Sequence, residues 1–254
     1  MTGTRAAYGP VPVPRVALFV TCLADQFVPE VAHATVRVLR RCGCDVEVPP
    51  AQLCCGQPAY NSGHLPEARD LARAWLAAFD GAEYVVAPSG SCAGMVQHGF
   101  AQLATGDPAL AAATAALAAR TFELATFLVN VLGVRALPGA VHRRVAWHPG
   151  CHAARIAQVG DAPQRLLAGI AGLELVDFPR PEDCCGFGGT FCTTLPEIAA
   201  AMADEKLAAL RTRAPLTLVG ADLGCLLHLH GRAAACGERL EVAHLAQILA
   251  EAMA

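Results

Sequence analysis

Leu53-Cys-Cys-Gly-Gln-Pro-Ala59 and, further along, Cys184-Cys-Gly-Phe-Gly-Gly189 carry the reading of this chain, because each opens on a vicinal cysteine pair followed by glycine. Cys184 follows Cys54 by 130 positions, Cys151 follows Cys22 by 129, and Cys225 follows Cys92 by 133. Cys22 precedes its pair by 32 positions and Cys151 precedes its own by 33. One vicinal pair arises by chance in a chain with 12 cysteines. Two pairs in register with their flanking cysteines indicate a duplicated unit of about half the 254-residue length.

Around these markers strands and helices alternate. Val16-Ala-Leu-Phe-Val20 is a short apolar run that reads as a buried strand ending at Cys22. Pro29 to Arg41 has helical spacing of Val31, Ala34, Val38 and Leu39, and Asp45-Val-Glu-Val-Pro49 reads as a second strand leading to Cys54. Pro66 to Phe79 is helical, and Tyr84-Val-Val-Ala87 is a third strand before Cys92. The second half repeats this with strands at Arg144-Val-Ala-Trp147, Leu173-Glu-Leu-Val176 and Leu216-Thr-Leu-Val219. The expected fold is α/β: two tandem, pseudo-symmetric, Rossmann-like halves, each a parallel sheet flanked by helices. Asp107 to Val131 reads as one or two helices and Gly133 to Arg143 as a linker, which places the first domain at 1–137 and the second at 138–254.

Composition narrows the function classes. Hydrophobic residues make up 54%, against a usual value of roughly 45–50%, so a large core is available and disorder is excluded as the main state. A net charge of −3 offers no basic surface for nucleic acid. The Ala-rich stretch from Ala101 to Ala119 is broken by Asp107 and Pro108, so no integral membrane segment is expected. Met1 to Arg15 lacks an apolar run of signal-peptide length, and the expected location is the cytoplasm. There disulfides do not persist, and cysteines serve metal or redox chemistry.

In parallel sheets the loops after the strands gather at one edge, so Cys22, Cys54, Cys55 and Cys92 should converge, as should Cys151, Cys184, Cys185 and Cys225. One zinc ion usually takes two chelating pairs such as C-x-x-C, which neither half offers cleanly. Adjacent cysteines diverge, and a polynuclear iron-sulfur cluster lets each sulfur take its own iron. Gly56 and Gly186 would permit positive φ and bring backbone N–H groups close to sulfur. The bland alternative is that these cysteines are small buried hydrophobes, and zinc in one half remains a second reading.

The motifs Phe19-Val-Thr-Cys22-Leu-Ala-Asp, Leu53-Cys-Cys-Gly-Gln-Pro-Ala59, Pro88-Ser-Gly-Ser-Cys92, His148-Pro-Gly-Cys-His152, Cys184-Cys-Gly-Phe-Gly-Gly189 and Ala221-Asp-Leu-Gly-Cys225 resemble the cysteine-rich CCG-domain proteins. That family includes the B subunit of heterodisulfide reductase, the iron-sulfur subunit of glycolate oxidase and, most similar here, the lactate utilization A proteins. The resemblance implies an iron-sulfur electron-transfer subunit of a complex that oxidises L-lactate to pyruvate together with lactate utilization proteins B and C. It implies up to one [4Fe-4S]-type cluster per half and a small 2-hydroxy acid as substrate. A glycolate oxidase subunit, a heterodisulfide-reductase-type subunit and a non-enzymatic zinc scaffold stand as alternatives. In the fuller family pattern each motif ends in C-x-x-C, whereas Ser89 and Asp222 hold the first of those positions here. Four motif cysteines per half suffice for a four-thiolate cluster, or for a cluster with one iron bound by oxygen, from Ser89 or Asp222, or left open.

Several residues allow two readings. His148 and His152 flank Cys151, where a ring N–H either donates to cluster sulfur or substrate or serves as a cap. His228 sits three residues after Cys225 and on a helix shares its face. Cys42, Cys44, Cys192 and Cys236 have no counterpart in the other half and read as packing residues, with Cys192 nearest the second pair. Gly188-Gly189 belongs to no phosphate-binding fingerprint and reads as a tight turn.

Overall fold

A computed structural model describes residues 13–214 and 216–254. The N-terminal stretch read for a signal peptide lies outside these residues up to Pro12.

The first half runs β1 (Arg15–Leu18), α1 (Cys22–Phe27), α2 (Glu30–Arg41), β2 (Asp45–Glu47), α3 (Gln57–Asn61), α4 (Leu65–Ala78) and β3 (Tyr84–Ala87). It continues through α5 (Gly90–Gly94), a π-helical turn Met95–Gly99, α6 (Phe100–Leu103), α7 (Pro108–Ala118), β4 (Thr121–Glu123) and α8 (Leu124–Thr126), which extends as a second π-helical stretch, Phe127–Val131. The second half runs β5 (Ala140–His148), α9 (Cys151–Arg155), α10 (Ala162–Ala168), β6 (Ala171–Leu175), α11 (Phe191–Thr194) and α12 (Pro196–Arg211). It ends with β7 (Thr217–Gly220), α13 (Leu223–Ala235), β8 (Glu241–His244) and α14 (Leu245–Glu251).

Each half forms a four-stranded sheet, ordered β2-β1-β3-β4 and β6-β5-β7-β8, and every pairing is parallel. The α/β reading with two equivalent halves therefore holds. Two details differ from expectation. Thr121–Glu123, read as helix, is a strand that pairs with β3 in the register Val85↔Thr121, and β8 is its unexpected counterpart beside β7. Gly133 to Arg143 is not wholly linker, because β5 begins at Ala140 and pairs there with Ala171.

Alternation along the central strands divides the core into three. Val16 and Leu18 of β1, with Val145 and Trp147 of β5, point into one cluster that also takes Leu39 of α2, Leu166 of α10 and Leu249 of α14. Ala17 and Phe19 face a second cluster with Trp75 and Phe100, and Ala146 faces a third with Leu207 and Leu229. A period of two along a buried strand places successive side chains on opposite faces, which gives each sheet one private core and one shared with its twin. The halves are thus joined by apolar packing as well as by residues 132–139, and Leu137 itself is buried in the shared cluster. Among the described residues no helix is long and apolar enough to cross a membrane. The Ala-rich α7 starts instead at Asp107, whose side chain accepts from the Leu110 N–H.

Candidate metal centre

The carboxyl ends of β1 and β3, and of β5 and β7, lie at the point where each strand order reverses, the crevice in which open α/β sheets receive ligands. Cys22 opens α1 directly after β1, and Cys151 opens α9 directly after β5. Cys92 lies in α5 after β3, and Cys225 lies in α13 after β7. The vicinal pairs sit in the turns that follow β2 and β6.

Within each half the four thiols touch in series. The Cys22 and Cys54 sulfurs are 3.6 Å apart, and the Cys55 thiol interacts with those of Cys54 and Cys92. In the second half the Cys151 and Cys184 sulfurs are 3.9 Å apart, and the Cys185 thiol interacts with those of Cys184 and Cys225, the latter within 4.8 Å. Gly56 at φ +79° and Gly186 at φ +90° take the left-handed conformation expected of them. The Gly186 N–H donates to Cys184 Sγ at 3.4 Å and the Phe187 N–H donates to Cys185 Sγ at 3.5 Å. Hydrogen bonds with Cys22 and Cys55 hold the Cys54 thiol far below its ordinary value, at about 3. Bonds with Cys151 and Cys185 hold Cys184 at about 2. The same bonds, and then burial, push Cys22, Cys55, Cys151 and Cys185 upward, so thiolate character in each group gathers on one sulfur.

The two thiol groups share a single cavity of about 310 Å³, which all eight motif cysteines line together with Ser89, Ser91, Asp222 and His152. This facing arrangement was not expected from sequence. Asp222 belongs to the second half, yet its Oδ1 accepts from Ser89 Oγ at 2.8 Å and from the Ser91 N–H at 3.0 Å in the first. His152 Nδ1 lies 3.6 Å from Cys151 Sγ.

His148 is buried behind the second group. One of its ring nitrogens and the Cys185 and Cys225 sulfurs lie within 4.8 Å of one another. Its Nδ1 is 3.3 Å from Lys206 Nζ, while its Nε2 is buried without a hydrogen-bond partner. Burial and then the Lys206 charge lower its pKa to about 3, so the ring is neutral. Lys206, 2% exposed, also donates to the Pro181 carbonyl at 2.6 Å. Sequence reading did not single out Lys206. It lies seven residues after Ala199 and three after Ala203, on the buried stripe of α12, and that phase is the signal that finds it. Glu123 was also missed. It is buried, caps α8 through Oε2 at 3.0 Å from the Thr126 N–H, and has no partner at Oε1.

The remaining candidates stand apart from the cavity. His228 Nε2 is 3.4 Å from the Ala199 carbonyl, Cys192 donates to the Gly189 carbonyl, Cys42 and Cys44 pack in the shared core, and Cys236 is exposed. All twelve cysteines are free thiols. Four converging soft donors per half, with an orphaned imidazole nitrogen beside one set, suit a bound metal centre.

The family described as Cysteine-rich domain, CCG, matches twice, over residues 16–97 and 145–230. The chain belongs to this CCG family. Members with similar sequences span nearly its whole length. Lactate utilization protein A of Geobacillus kaustophilus is 47% identical over 235 residues, covering 92% of this chain and 98% of the relative. Lactate utilization protein A of Bacillus licheniformis is 43% identical over 92% of this chain and 98% of the relative. Lactate utilization protein A 2 of Bacillus cereus is 40% identical over 94% of this chain and 99% of the relative. Among solved structures, a hypothetical protein from Helicobacter pylori shares the fold with a TM-score of 0.65 at 13% identity. The match covers 96% of this CCG chain and 49% of that one.

Proposed function

We propose that the chain is an iron-sulfur electron-transfer subunit of an L-lactate-oxidising complex, working in the cytoplasm with lactate utilization proteins B and C. One observation carries this reading: two equivalent four-cysteine groups open on one cavity of about 310 Å³. The names of its relatives supply the substrate class. Cys22, Cys54, Cys55 and Cys92 would hold one centre, and Cys151, Cys184, Cys185 and Cys225 the other, as parts of units 1–137 and 138–254. Iron-sulfur clusters supply single-electron acceptors, which a polypeptide lacks.

Converting lactate to pyruvate releases two electrons and two protons. Of the groups lining the cavity, Asp222 and His152 are able to accept a proton, and Asn61, Ser91 and Thr193 offer donors to a carboxylate. Leu53, Leu195 and Ile198 are exposed on the segments that carry or follow the two CCG turns, a surface on which partner subunits can dock.

Anaerobic purification followed by iron and sulfide analysis and low-temperature EPR tests the reading. More than about one iron per half, with cluster signals reduced by L-lactate in the presence of B and C, is the expected result. Colourless protein with zinc in place of iron overturns it. Zinc in the second half is the second reading, favoured by the compact His148, Cys185 and Cys225 set.

A further inference from the structure

The repeat allows the two thiol groups to be compared wall by wall. The step of 129 that relates Cys22 to Cys151 relates Phe19 to His148. On the long helices, Gly56 approaches the Ala68 carbonyl as Gly186 approaches that of Ala199, a step of 131 that relates Trp75 of α4 to Lys206 of α12. In the first half this pair is aromatic, the Phe19 and Trp75 rings meeting edge on with centroids 5.3 Å apart. In the second half the same two places hold an imidazole and an ammonium 3.3 Å apart. Two pseudo-equivalent sites differ in formal charge at equivalent positions.

The hydrogen-bond chemistry of the pair is directional. An ammonium has donors and no acceptor, so His148 Nδ1 must accept from Lys206. A neutral imidazole then carries its one N–H on Nε2, the atom that is buried without a partner in the chain. The ring shares a 4.8 Å neighbourhood with the Cys185 and Cys225 sulfurs. Lys206 is itself held by the Pro181 carbonyl and lies over the Phe178 ring, 5.5 Å from its centroid, while burial disfavours its charge and the Cys185 thiol and the Asp183 carboxylate favour it.

We infer that Lys206 and His148 are positioning residues for the second centre alone. Lys206 sets the tautomer of His148 so that Nε2–H donates toward the Cys185 and Cys225 sulfurs, and the pair makes this centre the easier of the two to reduce. Hydrogen bonds to cluster sulfur and nearby positive charge both favour the more negative, reduced state. The potential ordering rests on the iron-sulfur reading above, whereas the tautomer does not.

Two measurements test the inference. In the anaerobically prepared full-length protein, iron is counted first and both centres are then titrated by EPR. Lys206→Met and His148→Phe, the latter restoring the residue type of the first half, should each lower one midpoint potential. The expected size is about tenfold in the reduction equilibrium, about 59 mV for one electron. The other potential should stay in place, and Lys206→Arg should restore most of the shift. Equal shifts in both centres, or none at unchanged iron content, overturn the inference. The second measurement uses the metal-free wild-type chain, where 15N NMR of the imidazoles should place the His148 proton on Nε2. A proton on Nδ1 overturns it whatever metal the chain proves to bind. Zinc in place of iron together with an Nε2 proton refutes the functional reading and its potential ordering while leaving the Lys206–His148 arrangement standing.

Discussion

Ser89 donates through Oγ to Asp222 Oδ1 at 2.8 Å, and each of these residues is the other's counterpart in the repeat. A residue meets its own equivalent only near a twofold axis, so this bond marks where the axis runs. The neighbouring equivalent pair meets through a shared partner. His244 Nε2 lies 2.9 Å from the carbonyls of both Pro88 and Ala221, which are again equivalent. The departure of Ser89 and Asp222 from the double C-x-x-C pattern thus places a polar contact on the axis between the two thiol groups.

That contact should couple the halves energetically. Asp222→Ala leaves the Ser89 hydroxyl and the Ser91 N–H without their acceptor, and urea denaturation should register a loss of about 1.5–3 kcal/mol. In a double-mutant cycle, Ser89→Ala should cost less once Asp222 is gone, leaving only the loss of its cap on the Cys92 N–H. Full additivity would contradict the assignment.

Gly186 has two reasons to be glycine, a left-handed backbone and the Ala199 carbonyl 2.4 Å from where a Cβ would sit. Gly63 has the first reason only, with nothing within 4 Å. Gly63→Ala should therefore cost about 1–2 kcal/mol, and Gly186→Ala distinctly more, since backbone must move as well. Thermal melts of the two variants in parallel check the ranking.

Burial pushes the Glu123 carboxyl up to about 7 from 4.5, with the nearby Asp222 charge adding to the rise. The folded chain therefore keeps this proton to higher pH than the unfolded chain does. Its contribution to stability is full below about pH 4.5 and is lost as pH rises through about 7. His148, lowered to about 3, works in the opposite sense, its contribution fading as pH falls below the ordinary histidine value of 6.5. Comparing Glu123→Gln with the parent isolates the carboxyl. Relative to the parent, the variant should gain on the order of 3 kcal/mol between the acid and neutral ends of that window. A pH-independent difference would show that burial does not shift the Glu123 titration.

Metal should be divisible between the halves. Cys54→Ser and Cys184→Ser are each expected to remove about half of the bound metal, and chelation of the parent should lower its melting temperature. Complete loss from either single variant would mean that one centre spans both groups.

The sequence made the strands after which the cysteines sit legible, because each is a short apolar run between turn residues. Strands β4 and β8 escaped notice. They are three and four residues long, and Thr121-Phe-Glu123 follows directly on an Ala-rich helix whose periodicity absorbs it. A clue was present in Glu123-Leu-Ala-Thr-Phe-Leu128 and His244-Leu-Ala-Gln-Ile-Leu249, which repeat one pattern at the same place in both halves. The convergence of the cysteines within each half followed from strand order, whereas their meeting across the halves depends on packing that no local motif encodes. Gly90, whose Cβ would lie 2.3 Å from that of Ala153, records this packing at a single position. Lys206 was hidden by the ordinary preference of lysine for solvent.

Leu39 and Leu249 lie in one apolar cluster although they belong to different halves, and α14 packs directly on α2. Separating the sheets would wet that cluster, so a hinge between them is closed off by the hydrophobic effect. The width of the chamber is then preset by the seat of one helix on another, and altering it means trimming the side chains that form its jaws.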